Sequence, residues 1–327
     1  MIPLDVIPTG WFHVGWSAEI APGGVKPMRY FGQDLVAFRS SAGRLSVLDA
    51  HCRHLGAHLG YGGRVRDDCV ICPYHGWSWD ADGRNVGIPY QDKPVNARQK
   101  VWAAQEKHGM MFVWHDPEGG PPRQGWELPD LFADFEGLEV DEDSFYPCYP
   151  NAVVNKPDEP IHPQLIMENT ADCMHFRHTH GAPEDPAMLW FRTEDIRWLS
   201  SMGFTSPKTK AVALRTYVIN PSVGLSYTIF DGRQHYRLLL SCTPVDATRS
   251  DLRVSYFFPR GADGPAEMPE SLRAFARHTV DLFEEDARIW RRQIFVQRPI
   301  FAAQDVEAYS ALRRWSAQFY EKPVSVS

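Results

Sequence analysis

The 327-residue sequence has no long hydrophobic run and no excess of basic residues. Nowhere do about 18 apolar residues follow one another, as a membrane-spanning helix requires. The opening MIPLDVIPTGWFHVGW lacks the basic and apolar regions of a signal peptide. Lys plus Arg number 34 against 41 Asp plus Glu, a net charge of −7, with both signs mixed along the chain. We therefore expect a cytoplasmic protein that neither spans a membrane nor binds nucleic acid.

Nucleotide-binding motifs and a disulfide framework are also missing. The sequence contains neither G-x-G-x-x-G nor G-x-x-x-x-G-K-[ST], so it encodes no dinucleotide or nucleoside triphosphate site. Three of the six cysteines (Cys52, Cys69 and Cys72) lie in one short stretch beside histidines, which is poor spacing for disulfides. Metal binding is the better first interpretation of these cysteines.

The length is typical of two domains. Short strand-like runs occupy residues 10–114 and predict a small all-β domain. Residues 115–129, HDPEGGPPRQGWELP, are rich in Pro and Gly and predict a linker. We therefore place the domains at residues 1–118 and 119–327.

The second domain is predicted to be of the α+β class. Helical spacing runs from Pro163 to His180 and stops at Gly181. Five alternating, strand-like runs follow, and a long helix is predicted from near Pro269 and Glu270, with apolar residues at intervals of three or four. This order indicates an antiparallel sheet with a long C-terminal helix.

Two Cys/His pairs, Cys52 with His54 and Cys72 with His75, are each followed by a turn that contains glycine. Two thiolates and two imidazoles fit either tetrahedral zinc or an iron–sulfur cluster in which histidines replace two cysteines. Structural zinc sites usually pair like residues, whereas each pair here mixes a thiolate with an imidazole. Two such loops can place both sulfurs on one iron and both nitrogens on the other, which favours the cluster.

Other residues near these pairs are expected to have ordinary structural roles. Cys69 could form a zinc pair with Cys72, but it occupies an apolar position in a predicted strand, and we expect a free cysteine in the core. His51 and His58 flank the pairs at positions that do not match, and we expect each to be a surface or hydrogen-bonding histidine.

Residues 168–180 contain three histidines and two carboxylates, a density that favours iron. On a straight helix Asp172, His175 and His178 share one face. Helical geometry alone therefore favours His178 as the partner of His175. The expected helix end at Gly181 favours His180 instead, because a widened last turn would bring it round to the same side.

A site with two histidines and one carboxylate leaves open positions for oxygen and substrate. The candidates for that carboxylate in the long C-terminal helix are Glu284, Glu285 and Asp286. A run of acidic residues in a helix usually faces solvent. Residue chemistry alone therefore gives each of the three only weak support as a metal ligand.

The motifs themselves resemble those of a known family. CRHLGAHL followed by CPYHGW resembles the Rieske motif in its oxygenase form, and residues 169–180 are similar to the Asn, then Asp-x₂-His-x₄-His, pattern of the Rieske non-haem iron oxygenases. Residues 285–290 are similar to the E-D-x-x-I-W context of the family's late ligand. The resemblance implies a [2Fe–2S] cluster on Cys52, His54, Cys72 and His75. It also implies mononuclear Fe(II) on His175, His180 and Asp286.

The resemblance implies further roles around the iron. In this family the aspartate that corresponds to Asp172 accepts a hydrogen bond from an iron-ligating histidine and another from a cluster histidine of the neighbouring subunit. Asp172 would then connect His175 with His75 of another chain. Asn169 matches the asparagine of the same motif and is expected in the catalytic site. Head-to-tail contacts of this kind close into rings, and we expect a homotrimer.

The C-terminal residues, Arg298-Pro299 and then 313–320, are similar to those of 3-ketosteroid 9α-hydroxylase oxygenase components and cholesterol 7-desaturases. This resemblance implies a helix-grip catalytic domain that hydroxylates a small hydrophobic, steroid-like substrate with O₂. Because the chain has no nicotinamide or flavin site, electrons from NAD(P)H must arrive through a partner ferredoxin or flavin reductase. The alternatives are O- or N-demethylation, aromatic-ring dioxygenation, a non-catalytic Rieske electron carrier and a zinc-stabilised binding module.

Overall fold

The computed structural model describes residues 2–261 and 264–320. One compact unit comprises His13–His115, and the other comprises the described residues on either side of it. The division into residues 1–118 and 119–327 stays a prediction, and its outermost residues, Met1 and 321–327, lie outside the described part of the chain. No helix within the described residues is long and apolar enough to cross a membrane.

Short strands make up the N-terminal part of the chain, which confirms the predicted all-β domain. They form three small sheets with the strand orders β1-β11-β10, β2-β3-β4-β9 and β5-β6-β7-β8. Their bounds are β1 Gly10–Trp16, β2 Val25–Tyr30, β3 Gln33–Arg39, β4 Leu45–Asp49, β5 Arg64–Arg66, β6 Cys69–Ile71, β7 Ser78–Asp80, β8 Asn85–Gly87, β9 Val101–Trp102, β10 Ala104–Lys107 and β11 Met110–His115.

The core of this unit lies beneath the loops that carry the two Cys/His pairs. Strand β4 ends shortly before Cys52, and β6 ends directly before Cys72. Both cysteines are buried in a cluster with apolar side chains such as Phe38, Val70 and Trp79. The sheets therefore fix the starting point of each loop.

The C-terminal unit is built on one large antiparallel sheet. Its strand order is β12-β18-β17-β16-β15-β14-β13. The bounds are β12 Val153–Glu159, β13 Ala187–Glu194, β14 Arg197–Thr205, β15 Val212–Ser222, β16 Leu225–Gly232, β17 Tyr236–Pro244 and β18 Ser250–Phe257. The alternating runs in the sequence correspond to β14 to β18, whereas the edge strands β12 and β13 were not predicted.

A long helix packs on this sheet, as the apolar spacing predicts. Helix α3 spans Glu270–Trp290 and begins after Pro269. Its buried residues recur at intervals of three or four along one face and contact the apolar side chains of β17 and β18. They are Ala276, Thr279, Phe283, Ala287 and Trp290. The α+β class is therefore confirmed.

An ion-pair network holds the C-terminal end of α3 against the edge strand β12. Arg291 contacts both carboxylate oxygens of Glu159, at 2.6 and 2.7 Å, and Glu284 at 2.5 Å. Lys156 contacts the same Glu284 at 2.5 Å. The hydrogen bonds from Arg291 and Lys156 lower the pKa of Glu284 to about 2. The Glu284 carboxylate is thus charged and engaged in fixing the helix.

The continuous helix predicted from Pro163 to His180 is wrong. Helix α1 covers Pro163–Glu168 and continues as a 3₁₀ turn, but Asp172 is extended (φ −96°, ψ 105°), and a second short helix, α2, covers His175–His178. The Asp172 carboxylate accepts a hydrogen bond from the backbone N–H of His175 at 3.1 Å. This local bond competes with helix continuation, which is why an aspartate breaks the helix here.

The sequence interpretation missed the last helix, α4, at Val306–Ala317. Its buried residues Leu312 and Trp315 pack with Met167 and Trp198. Helix α4 therefore covers the segment that leads from α1 to Asp172.

Candidate metal centres

The loops after β4 and β6 have the same backbone design. In the first, the N–H of Gly56 donates to the carbonyl of Cys52 at 2.8 Å; in the second, the N–H of Gly76 donates to Cys72 at 3.1 Å. Both glycines adopt positive φ (+76° and +73°), a conformation that side chains disfavour. Each glycine allows the loop to turn back sharply within a few residues of its cysteine and histidine.

The sulfur and nitrogen donors of these loops lie at different depths. Cys52 and Cys72 are buried, whereas His54 and His75 are partly exposed. The two imidazole rings meet edge to face with centroids 4.8 Å apart, and Trp77 stacks on His54 at 4.4 Å. The thiol side thus faces the core and the imidazole side faces outward.

The donor set fits a two-iron cluster. Nδ1 of His54 is buried and has no hydrogen-bond partner among the described residues, as expected of a nitrogen that binds metal. Burial, together with the adjacent Cys72, raises the pKa of the Cys52 thiol, so a positive metal centre is needed to hold it as a thiolate. Trp79 donates its indole N–H to Cys52 Sγ at 3.4 Å. That these four residues bind a cluster stays a prediction.

The neighbouring residues partly follow expectation. His51 contacts the Gly56 carbonyl at 3.0 Å and Asp34 at 3.2 Å, and His58 Nδ1 accepts from the Gly60 N–H at 3.0 Å. The placement of Cys69 in the core is wrong, because its side chain is partly exposed on β6. Only three residues make up β6, and its buried positions are the two after Cys69.

A second group of donors comes together in the C-terminal unit. Ligand atoms of His175, His180 and Asp286 all lie within 4.8 Å of one another. His180 Nε2 is 3.1 Å from Asp286 Oδ1, and the two imidazole centroids are 5.5 Å apart. Gly181 has a φ of +66°, and the chain has left helix α2 before His180. His178 lies on α2 with an exposed side chain, so the structure brings His180, not His178, to His175.

Both imidazoles are held at Nδ1, which leaves Nε2 directed into the group. His175 Nδ1 is 2.9 Å from the backbone carbonyl of Asp172, and His180 Nδ1 is 2.9 Å from Glu285 Oε2. Asn169 Nδ2 lies 3.4 Å from His175 Nε2, so Asn169 lies beside the predicted iron. Two Nε2 atoms and one carboxylate fit the two-histidine, one-carboxylate pattern of ferrous oxygenases. Iron binding by these residues remains a prediction.

Charges around the group favour cation binding. The hydrogen bond with Asp286 raises the pKa of His180, and burial opposes this effect. Burial acts to raise the pKa of Asp172, but hydrogen bonds with His175 and Tyr309 keep it below its ordinary value. Carboxylates thus surround the imidazoles.

A cavity of about 230 Å³ opens beside the three donors. His175, His180, Asp286 and Asn169 line one side of it. The rest of the lining is mostly apolar and comes mainly from the sheet and α3, with further residues from α1 and α2. Its members include Met202, Val218, Leu225, Phe230, Leu238 and Phe283. The sequence analysis did not find these residues, because strand alternation does not tell which buried side chains leave a space between them.

Asp172 lies between the donor group and the surface. Its side chain is 28% exposed, and it lines a smaller cavity of about 120 Å³ together with His175, Tyr309 and Trp290. Tyr309, on α4, hydrogen-bonds to the Asp172 carboxylate. The sequence carried no signal for this tyrosine, because α4 itself was not predicted.

Comparisons with known proteins agree with this geometry. A family model described as 3-Ketosteroid 9alpha-hydroxylase C-terminal domain matches residues 113–320, and one described as Rieske [2Fe-2S] domain matches residues 10–103. The chain is 29% identical over 328 residues to a 3-ketosteroid-9-alpha-monooxygenase, oxygenase component, from Rhodococcus rhodochrous, which covers 95% of this chain and 83% of that protein. It is 30% identical over 348 residues to cholesterol 7-desaturase nvd 1 of Ciona intestinalis, which covers 96% and 69%.

A solved structure has the same fold. Dicamba monooxygenase bound to dicamba superimposes with a TM-score of 0.71 at 18% identity over 98% of each chain. The catalytic-domain match over most of the C-terminal unit excludes two alternatives, the Rieske electron carrier without catalytic function and the zinc-stabilised module. The chain belongs to the Rieske non-haem iron oxygenases, in the family whose catalytic domain is that of the 3-ketosteroid 9α-hydroxylases.

Proposed function

We propose that this protein is the terminal oxygenase component of a multicomponent system that hydroxylates a neutral, steroid-like substrate with O₂. The observation that carries the proposal is the donor group of His175, His180 and Asp286 at the wall of a largely apolar cavity. Relatives over nearly the full chain that are named for 3-ketosteroid and cholesterol reactions support the substrate class.

The charge of the cavity supports a neutral substrate. Among the described residues that line the cavity there is no lysine or arginine, and Asp286 is acidic. A substrate carboxylate buried there away from the metal position would have no lysine or arginine as a partner, which costs several kcal/mol. An uncharged polycyclic substrate meets no such penalty.

In this proposal Cys52, His54, Cys72 and His75 hold a [2Fe–2S] cluster, and the histidine ligation places its potential between roughly −150 and +300 mV. The cluster supplies single electrons. The buried thiols would hold the cluster on the side of the core. The outward imidazoles would form the edge at which electrons arrive from a partner reductase, fed by NAD(P)H, and leave for the catalytic site.

His175, His180 and Asp286 would hold Fe(II) at the wall of the cavity. Bound there, ferrous iron supplies reductive activation of O₂ for insertion of an oxygen atom into a C–H bond. The chain's own residues orient the substrate and exclude water from the cavity. The Nδ1 hydrogen bonds fix both imidazoles with Nε2 directed into the donor group.

Asp172 is proposed to connect the two centres between subunits of a homotrimer. Its backbone carbonyl holds His175, its carboxylate is bound by Tyr309, and the side chain is partly exposed, so it can accept a further hydrogen bond from His75 of a neighbouring chain. Because the electrons then cross between chains, assembly is part of the active state.

The substrate class is tested by O₂ consumption in a system reconstituted with a ferredoxin reductase. We expect 3-ketosteroids or sterols to stimulate O₂ uptake at least about tenfold more than single-ring aromatic acids, because no lysine or arginine among the described lining residues pairs a carboxylate. Product analysis should find one oxygen atom from O₂ in the steroid. Stimulation by aromatic acids alone would contradict the proposal.

The cluster assignment is tested by Cys52→Ser and Cys72→Ser. Each should lose the red-brown colour and lower the iron content from about three per chain to about one, because the thiolates hold the cluster. Cys69→Ser is the matched control and should keep both. A normal Rieske electron paramagnetic resonance spectrum in the first two variants would disprove the assignment.

The iron ligands are tested by His175→Ala, His180→Ala and Asp286→Ala. Each should weaken mononuclear iron binding by more than about 100-fold, beyond the loss typical of an outer partner, and abolish turnover while the cluster spectrum is unchanged. His178→Ala should keep its iron. The opposite pattern, with iron lost in His178→Ala and kept in His180→Ala, would identify His178 as the ligand.

The bridging role is tested by Asp172→Asn, which keeps the size of the side chain but removes the charge that strengthens its hydrogen bonds. When O₂ and substrate are added to the pre-reduced protein, cluster reoxidation should slow roughly 10–100-fold with both metal centres still loaded. Glu307→Gln, on the same helix as Tyr309, is the charge control. Reoxidation at the unmodified rate, or an active monomer in sedimentation, would refute the inter-subunit route.

A further inference from the structure

Two consecutive acidic residues of α3 contact opposite nitrogens of one imidazole. Asp286 lies 3.1 Å from His180 Nε2, and Glu285 Oε2 lies 2.9 Å from His180 Nδ1. The two ring nitrogens point away from each other. Asp286 lies on the side of the ring where a metal would bind Nε2, and Glu285 lies on the opposite side, at Nδ1. The two acids therefore have different roles.

The contact with Glu285 fixes the proton of His180. A neutral imidazole has one N–H and one lone pair, and a carboxylate can only accept. Nε2 also faces a carboxylate, that of Asp286, but a metal bound at Nε2 would use the lone pair of that nitrogen. The single hydrogen of the ring would then lie on Nδ1 and be donated to Glu285. A carboxylate partner also makes the opposite nitrogen a stronger donor.

The two histidines of the site differ in this partner. Nδ1 of His175 is held by the neutral backbone carbonyl of Asp172 at 2.9 Å, whereas Nδ1 of His180 is held by a side-chain carboxylate. Substitution cannot remove the first acceptor, since every residue at position 172 has a carbonyl. The Glu285 acceptor is removable, so its contribution can be measured.

Neither packing nor the ion-pair network at the end of α3 accounts for the position of the Glu285 side chain. Its side chain is 43% exposed. The adjacent Glu284 is engaged by Lys156 and Arg291, and Asp286 faces the donor group. Each acid in the run has its own partner, and the partner of Glu285 is His180.

We propose that Glu285 is a positioning residue that sets the tautomer and donor strength of His180 and thereby the affinity of the site for ferrous iron. The inference rests on the proposed function, in which His180 is an iron ligand. Loss of such a partner typically weakens metal binding about 10–100-fold, less than loss of a ligand.

The test measures ferrous iron binding to protein with an intact cluster and an empty mononuclear site, by anaerobic competition with a chelator. Glu285→Ala should bind iron about 10–100-fold more weakly than the unmodified protein. Glu285→Gln should recover part of this loss, because its amide oxygen still accepts from Nδ1 but carries no charge. Asp281→Ala, which removes an exposed acid one turn earlier on α3, should bind normally.

Several outcomes would overturn the inference. The inference fails if Glu285→Ala binds iron as tightly as the unmodified protein, or loses no more affinity than Asp281→Ala. Either result would show that the contact does not affect metal binding. A loss in Glu285→Gln as large as in Asp286→Ala would make Glu285 a ligand. If His180→Ala itself keeps its iron, the proposed iron site fails as a whole, which is a different result from a silent Glu285.

Discussion

The contact between His180 and helix α3 is the interaction on which the candidate iron site depends. One imidazole is held on both sides, at 2.9 and 3.1 Å, by neighbouring residues of the helix. This contact joins the segment that contains both histidines to the helix that supplies the carboxylate. It brings donors from two parts of the chain, residues 175–180 and α3, into one group.

Several independent features keep α3 in the rotation that this contact needs. Successive helix residues are rotated by about 100°, so a rotation of the helix by that angle would exchange Glu285 and Asp286 at the site. The buried face of Ala276, Phe283 and Ala287 fixes the rotation against the sheet. The salt bridges of Arg291 fix the end of the helix at β12. The acidic run is therefore a set of three separate contacts and not a solvated face.

The two centres are built in different ways. Each cluster loop is local: a cysteine, a histidine and a glycine lie within a few residues, and the loop closes by its own hydrogen bonds. The candidate iron site is assembled from a broken helix, a chain turn at Gly181 and the distant α3. Exposure also differs, because the imidazole edge of the cluster loops faces outward while His180 and Asp286 are mostly buried beside the cavity.

Residue spacing was enough to predict the cluster loops, the strands β14 to β18 and the extent of α3, because each of these elements is encoded within one short segment. The sequence also supplied the family resemblance and the full set of candidate donors. The resemblance already favoured His180 over His178 and Asp286 over Glu285. Residue spacing alone did not separate them, because these choices depend on the helix break at Asp172 and on the rotation of α3. The contact of Tyr309 with Asp172 and the shape of the cavity were likewise decided by packing between segments far apart in the chain, which residue spacing does not encode.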